Sequence, residues 1–402
     1  MPAVLFLVEN ASVPTDPRVW PECTTLRDAG WDVVAVSPRG AVTDTAPHEV
    51  VDGVDIHRFA PSESGGGIRG YLTEYVVALR AMARLTGELT ARRAFDVVHV
   101  ANPPDVVFVA ARAARRRGAA LIFDQHDLGP ELFETKFGRR RVGRAALVLA
   151  ERLAFSRADV VIAANESFKR IAVERGRRQP GDVFVVRNGP DPDVFRPVDG
   201  DPSLRRGATH LIGYVGRMGS QDGLLEAVEA LASLRRRRSD WHAVFVGDGE
   251  SLPDAQAHAT RLGISDHLSF AGFVSDQNRL VQIIASCDVC LSPEPRNALN
   301  ESSTLIKVAE YMAVAKPVVA FDLRETRATA GDSASYATAD TPDAFADAID
   351  RLLDDGREAE RKGRLGRERV LADLSWSRSE PALLAAYERA RERGTRRRGR
   401  SR

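Results

Sequence analysis

Cysteine, lysine and long apolar runs are all scarce in this chain. Three cysteines in 402 residues are too few for a disulfide scaffold and fit a reducing compartment. No stretch approaches 18 uninterrupted apolar residues, so no segment reads as a membrane span. The leading MPAVLFLVEN has no basic start and reaches Glu9 after a short apolar run, which predicts a strand and not a signal peptide. Net charge is missing too: 57 Lys and Arg stand against 56 Asp and Glu, leaving +1. Such a chain has no field with which to wrap nucleic acid. Only five of its cations are Lys, and the scattered Arg read as coding bias. A cytoplasmic-type protein with no nucleic-acid partner is expected.

What is present is globular. Hydrophobic residues make up 44% and charged residues 28%, the balance of a folded chain with ample core. At roughly 100–200 residues per domain, this length implies two or three domains. Short Val- and Ile-rich runs alternate with helical patterns. Strands are expected at Val4–Val8, Asp32–Ser37, Val97–Val100, Ala120–Asp124, Val160–Ala163 and Val183–Val186. Between them, 71–91, 106–117 and 142–155 carry helical periodicity. Strands that are apolar throughout are buried on both faces, which argues for parallel sheets covered by helices.

From Arg187 to Gly207 the chain turns Pro- and Gly-rich, and the domain boundary belongs there. The alternation then restarts, with strands at 211–215, 243–246, 268–271, 289–291 and 317–321. The chain thus divides into an amino-terminal domain over 1–190, a linker over 191–207 and a second domain over 208–375. A helix over 376–392 crosses back to the first domain, and 393–402 forms a basic disordered tail. The seven Arg of 391–402 read either as a frayed solvated end or as a weak anchor on anionic lipid. Doubly wound sheets bind ligands at the carboxyl ends of their strands, so two such halves facing one another make one deep cleft.

Three stretches carry chemistry. In FDQHDLGPELFETKFG, His126 follows a buried strand and stands between Gln125 and Asp127. It could act as a base, donate to a sugar hydroxyl, or cap a helix. GYVGRMGSQDG runs from a strand through Gly216 into a helix near Leu224. Its backbone N–H groups and Arg217 suit a phosphate, whereas nicotinamide and P-loop motifs are lacking. PEPRNALNESSTLIKVAEYMAVAKPVVAFD sets Asn297, Asn300 and Glu301 in a polar loop. Ser303 or Thr304 can cap the next helix, whose start attracts an anion, and Lys307 and Glu310 share one face. Glu310 can accept from vicinal ribose hydroxyls. Cys287 and Cys290, a lone C-x-x-C, read as buried apolar residues. Asp16, Arg18 and Glu22 open the first helix, either as caps and surface charges or facing the cleft. Asn102 and Asp105 end a strand and cap a helix.

Taken together, the motifs resemble the retaining glycosyltransferases of family 4. The resemblance rests on DQHD at 124–127, RNGPDPDVF at 187–195, YVGR at 214–217, FVGDG at 245–249, AGFV at 271–274 and STLIKVAEYMAVAKPVVA at 303–320, and it spans nearly the whole chain. It implies the α/β GT-B fold, two Rossmann-like doubly wound domains facing across a cleft with carboxyl-terminal helices packing back. It further implies transfer of a sugar from a UDP- or GDP-sugar to an acceptor hydroxyl with the anomeric configuration kept, in polysaccharide or glycoconjugate synthesis. By that similarity the second half holds the donor. Gly216, Arg217 and Lys307 meet the diphosphate, Ser303 and Thr304 add backbone donors, Glu310 takes the ribose, and Val274 lies near the base. His126 touches the transferred sugar, with Asn300 and Glu301 as further sugar candidates. Asp16, Arg18 and Asp127 stand on the side of a saccharide or lipid-linked acceptor, with peripheral membrane contact. The leaving diphosphate takes the acceptor's proton, so neither cofactor nor metal is implied.

Two departures stand out. Where the family has a Lys five residues after the GR arginine, this chain has Asp222. Of the family's two glutamates seven residues apart, the first position holds Ser302, with Glu301 one residue early. Lys307 then becomes the substitute for the missing cation. A nucleotide-sugar 2-epimerase and a catalytically weakened GT-B binding protein are the alternative readings.

Overall fold

The computed structural model describes residues 1–40, 43–61, 67–138 and 140–400. They divide into two compact units, Met1–Arg187 with Ser379–Arg402, and Asn188–Arg378. The first unit is built on eight strands among the described residues. These are β1 (Ala3–Leu7), β2 (Asp32–Pro38), β3 (His48–Val51), β4 (Val54–Phe59), β5 (Val97–Ala101), β6 (Ala120–Gln125), β7 (Val160–Ala163) and β8 (Val183–Val185). They lie in the order β3-β4-β2-β1-β5-β6-β7-β8. All neighbours run parallel except β3 and β4, a hairpin at the sheet edge. Runs such as AVLFL and VVHVA are buried at every position, as strands covered on both faces must be.

The second unit repeats the plan with β9 (His210–Val215), β10 (Trp241–Val246), β11 (Leu268–Gly272), β12 (Val289–Ser292), β13 (Val318–Ala320) and β14 (Ala334–Tyr336). Their order is β11-β10-β9-β12-β13-β14, all parallel. One face packs Trp241, Phe245, Phe321 and Phe345 in a continuous apolar cluster; the other packs Tyr311, Met312, Cys287 and Cys290. Both cysteines are buried thiols, as their apolar setting in the sequence implies.

Each sheet reverses its winding once, between β1 and β5 and between β9 and β12. The carboxyl ends of those strands are therefore where a ligand site is expected. The loops there are tied down in the second unit. Gly216 N–H donates to Val246 O at 3.0 Å, Met218 N–H to Asp248 O at 3.0 Å, and Gly247 N–H to Gly272 O at 2.9 Å.

The sequence reading missed β3 and β4, which alternate polar and apolar residues instead of running apolar throughout. The helix expected over 106–117 is interrupted, a 3-10 turn at Asp105–Val109 preceding a short helix at Arg112–Arg116. Residues 191–207 include a 3-10 turn at Pro202–Arg205, and Phe195 is buried in the second unit's core. The last helix runs Trp376–Arg400, so where a disordered tail was expected the helix continues through 393–400. Residues 401 and 402 lie outside the described residues.

Gly247 shows how tightly the second unit's loops are set. Its φ is +136° and the Gly216 carbonyl oxygen stands 1.8 Å from the place of a Cβ. Gly247→Ala is therefore expected to lower stability by about 1–3 kcal/mol and to displace the Gly216 turn. A urea unfolding midpoint equal to that of the parent chain would contradict this.

Candidate active site

In the first unit, strand β6 delivers Asp124 to its carboxyl end with no solvent exposure. Arg18 closes on it with two bonds, Nη2 to Oδ1 at 2.7 Å and Nε to Oδ2 at 3.1 Å, and donates a third to Val186 O at 3.0 Å. Asp16 fixes the turn that presents Arg18, accepting from the N–H groups of Arg18 at 2.8 Å and Val19 at 2.9 Å. His126 Nε2 lies 2.5 Å from Asp124 Oδ2. Burial alone would raise the Asp124 carboxyl, but Arg18 and then His126 overrule it and hold it well below the usual range. In a neutral ring, an anionic Asp124 places the His126 proton on Nε2 and leaves Nδ1 as the acceptor.

Around this pair the charges are nearly balanced. Glu22 is fully buried, and burial followed by repulsion from Asp124 pushes its carboxyl well above the usual range, with Arg18 at 3.7 Å pulling the other way. His99 is lowered by burial and stays neutral. Its Nδ1 takes a bond from the Tyr387 hydroxyl at 2.9 Å, and its Nε2 faces Asp124 Oδ2 and Glu22 Oε2, each at 3.5 Å. Asn102, just past the end of β5, clamps the loop that carries His126. Its Oδ1 accepts from His126 N–H at 2.6 Å and Asp127 N–H at 3.1 Å, and its Nδ2 donates to Asp127 O at 2.8 Å.

In the second unit, residues 93 apart in sequence meet. Lys307 Nζ donates to Glu294 Oε1 at 2.5 Å and to the Tyr214 hydroxyl at 3.2 Å. The Tyr214 hydroxyl in turn donates to Arg217 O at 2.7 Å. A Cβ on Gly216 would stand 3.0 Å from Lys307 Nζ, so the Arg217 turn rests directly on the lysine. Burial would lower the Lys307 ammonium, yet Glu294 and Tyr214 keep it raised and charged. Lys307 is thus neutralised within the fold. Arg217 is exposed, and among the described residues its guanidinium has no hydrogen bond or ion pair. Glu310 lies one helical turn from Lys307; burial pushes its carboxyl up to about 7 against the pull of that lysine.

The other predicted residues divide. Asp16 and Arg18 are buried and spent on internal bonds around Asp124. Asp127 is half-buried beside His126. Asn300 is buried, its Nδ2 donating to Gln221 O at 3.0 Å and Pro295 O at 2.8 Å; it ties two loops together. Glu301 pairs with Arg296 and accepts from Arg324 N–H at 3.0 Å. Val274 is half-buried beside Phe273, which is 74% exposed. Ser303 does not cap the helix. That helix starts at Ile306 with Leu305 in the cap position and no side-chain cap, and the Ser303 hydroxyl turns back to Leu299 O at 2.9 Å. Asp222 bends into its own turn, accepting from Gly219 N–H at 2.8 Å, and burial raises its carboxyl.

Several residues of the site escaped the sequence reading. Glu9, just past the end of β1, has its carboxyl pushed up to about 7 by burial and then by Glu74. Its signal was one acid closing an apolar strand. Glu294 and His99 gave none, because their partners lie on other elements.

Comparison with known proteins gives a consistent picture. A family described as glycosyl transferases group 1 matches residues 209–355, and one described as a glycosyl transferase 4-like domain matches residues 17–189. The chain is 26% identical to the 2-deoxystreptamine glucosyltransferase of Streptomyces kanamyceticus over 260 residues, 62% of this chain and 65% of that protein. It therefore spans slightly less than two thirds of that relative. Sucrose-phosphate synthase from Thermosynechococcus elongatus superposes with a TM-score of 0.74 at 18% identity, covering 95% of this chain and 97% of the other. HepE of Anabaena, solved with UDP-glucose, gives 0.72 at 18% identity over 95% and 98%. These likenesses show the fold, that of the GT-B enzymes.

Removing one partner of a buried ion pair strands the other charge. Arg18→Met is expected to cost about 3–5 kcal/mol for that reason, measured by chemical denaturation. A loss below about 1 kcal/mol, the range of exposed pairs, would show that Asp124 does not depend on it.

Proposed function

The chain belongs to the glycosyl transferases that join a 4-like domain to a group 1 domain, and from that membership we propose that it moves a sugar from a nucleotide diphosphate sugar to an acceptor hydroxyl. The observation that carries this reading is the exposed Arg217, which makes no ion pair among the described residues. It sits at the winding reversal of the second unit, on a glycine turn braced by Lys307 and Tyr214. A fixed cation beside backbone donors at a strand end suits a pyrophosphate. UDP-glucose, the ligand solved with HepE, is the first donor to try.

In this proposal Arg217 and the helix start at Ile306 take the charge that develops on the departing diphosphate. Lys307 sets the turn through Tyr214 and reaches the phosphate only by leaving Glu294. Glu310 accepts from the ribose hydroxyls, and the chain at Val274 lies near the base. His126, held by Asp124, offers Nδ1 to a hydroxyl of the transferred sugar. The diphosphate receives the acceptor's proton, so the configuration is retained without a carboxylate nucleophile. The acceptor, a saccharide or a lipid-linked intermediate of glycoconjugate synthesis, is assigned to the first unit. A lipid-linked acceptor would bring the protein to the inner membrane face as a peripheral partner, the Arg-rich end adding a weak attraction to anionic headgroups. Among the described residues no helix is long and apolar enough to cross a membrane.

Titration calorimetry with UDP and GDP tests the donor site. Arg217→Ala is expected to weaken the preferred nucleotide about 10- to 100-fold, the worth of a charge-assisted contact. A parent chain that binds neither nucleotide would overturn the donor assignment. His126→Ala should lower turnover about 100-fold or more with nucleotide affinity kept. Equal turnover would remove His126 from the site.

The raised Glu310 carboxyl gives a pH signature. A carboxylate accepts from two hydroxyls only when ionised, so nucleotide affinity should rise as pH climbs through about 7. The same shift means the folded state binds more protons than the unfolded chain, so this group's contribution to stability falls between its ordinary value and about 7. In Glu310→Gln both dependences should flatten. An affinity profile identical to that of the parent chain would return Glu310 to a packing role.

A further inference from the structure

The edge hairpin of the first unit gathers side chains that the transfer chemistry does not use. β3 and β4 pair antiparallel with His48 directly opposite His57, and Asp55, two residues before His57, points to the same face. His48 Nε2 lies 2.9 Å from Asp55 Oδ1, and His57 Nε2 lies 3.0 Å from that same oxygen. The two imidazoles stack with centroids 4.4 Å apart and 24° between their planes, so both nitrogens converge on one point. His57 Nε2 is buried and makes no hydrogen bond among the described residues. Arg93 occupies the other oxygen of Asp55 and is held in turn by Asp32 at 3.0 Å, which orients Oδ1 toward the histidines.

We propose that His48, Asp55 and His57 form a site for a divalent transition metal of the zinc class. Two imidazole nitrogens and one carboxylate oxygen are a donor set that zinc takes readily, with a fourth position left to water. Metal–ligand bonds of about 2.0–2.2 Å at a tetrahedral angle separate the ligand atoms by about 3.3–3.6 Å. The observed 2.9 and 3.0 Å widen to that by a few tenths of an ångström, and the three ligand atoms already lie within 4.8 Å of one another. The His48 side chain is 56% exposed, which gives the ion an entry path. Arg93 on the second oxygen is the outer partner such carboxylates have. The other cluster of this kind, Glu22, His99 and Asp124, differs in the decisive respect that Arg18 already fills it with positive charge.

The hairpin's inner strand β4 is four strands from β6, about 19 Å across the sheet, so the metal is not part of the transfer site. It would cross-link the edge strand to its neighbour. Calorimetric titration of Zn²⁺ into the untagged full-length protein at pH 7.5 tests this, beside His48→Gln and His57→Gln. One-to-one uptake is expected in the parent chain, weakened at least about 10-fold in each variant. UDP affinity should stay the same in both, which separates this site from the proposed function. The exposed position of His48 makes its variant safe for folding. No stoichiometric uptake by the parent chain, or uptake unchanged in the variants, would overturn the assignment.

Discussion

Asp124 must stay ionised out of contact with bulk solvent, and the first unit is arranged around that requirement. Isolated, a buried carboxylate would take up a proton. Two bonds from Arg18 prevent this, and Arg18 can be spent so only because the Asp16 turn presents it from the start of the first helix. Glu22 is equally buried, and burial and then the Asp124 charge push its carboxyl up, against the pull of Arg18 at 3.7 Å. Among the described residues bonded to Asp124, His126 is the partly exposed one. The worth of this arrangement is orientation more than stability, since a buried pair seldom repays its desolvation.

The second unit solves a related problem differently. Its lysine is neutralised by Glu294 and serves as a brace, while the exposed Arg217 makes no ion pair among the described residues. An incoming anion then meets a cation that need not break an internal pair first. Where the resemblance leads to a lysine, Asp222 folds its carboxylate back onto the Gly219 N–H, and burial raises that carboxyl.

Parallel strands were legible because runs buried on both faces are apolar at every position, and so were the residues at their carboxyl ends. The hairpin β3–β4 was not, because HEVV and VDIHRF carry charged residues on an alternating face. Ser303 misled for a physical reason. Hydroxyl residues before a helical run signal a cap, but Ser303 found the Leu299 carbonyl instead, and the helix began three residues later. Asn102 was read as a local cap, whereas its amide clamps a loop 24 and 25 residues onward. Glu294 and His99 meet partners that only the folded sheet supplies.

The helix at Trp376–Arg400 brings Leu383, Tyr387 and Ala390 into the buried interior of the first unit, and Tyr387 completes the bond to His99. During synthesis the first unit therefore waits for the final segment of the chain. At ~5–20 residues per second, making residues 188–378 takes about 10–40 s. For that interval the nascent amino-terminal sheet stands outside the ribosome with part of its apolar surface uncovered, a natural substrate for chaperones. A message truncated shortly before codon 379 would release a chain whose second unit is whole and whose first is not.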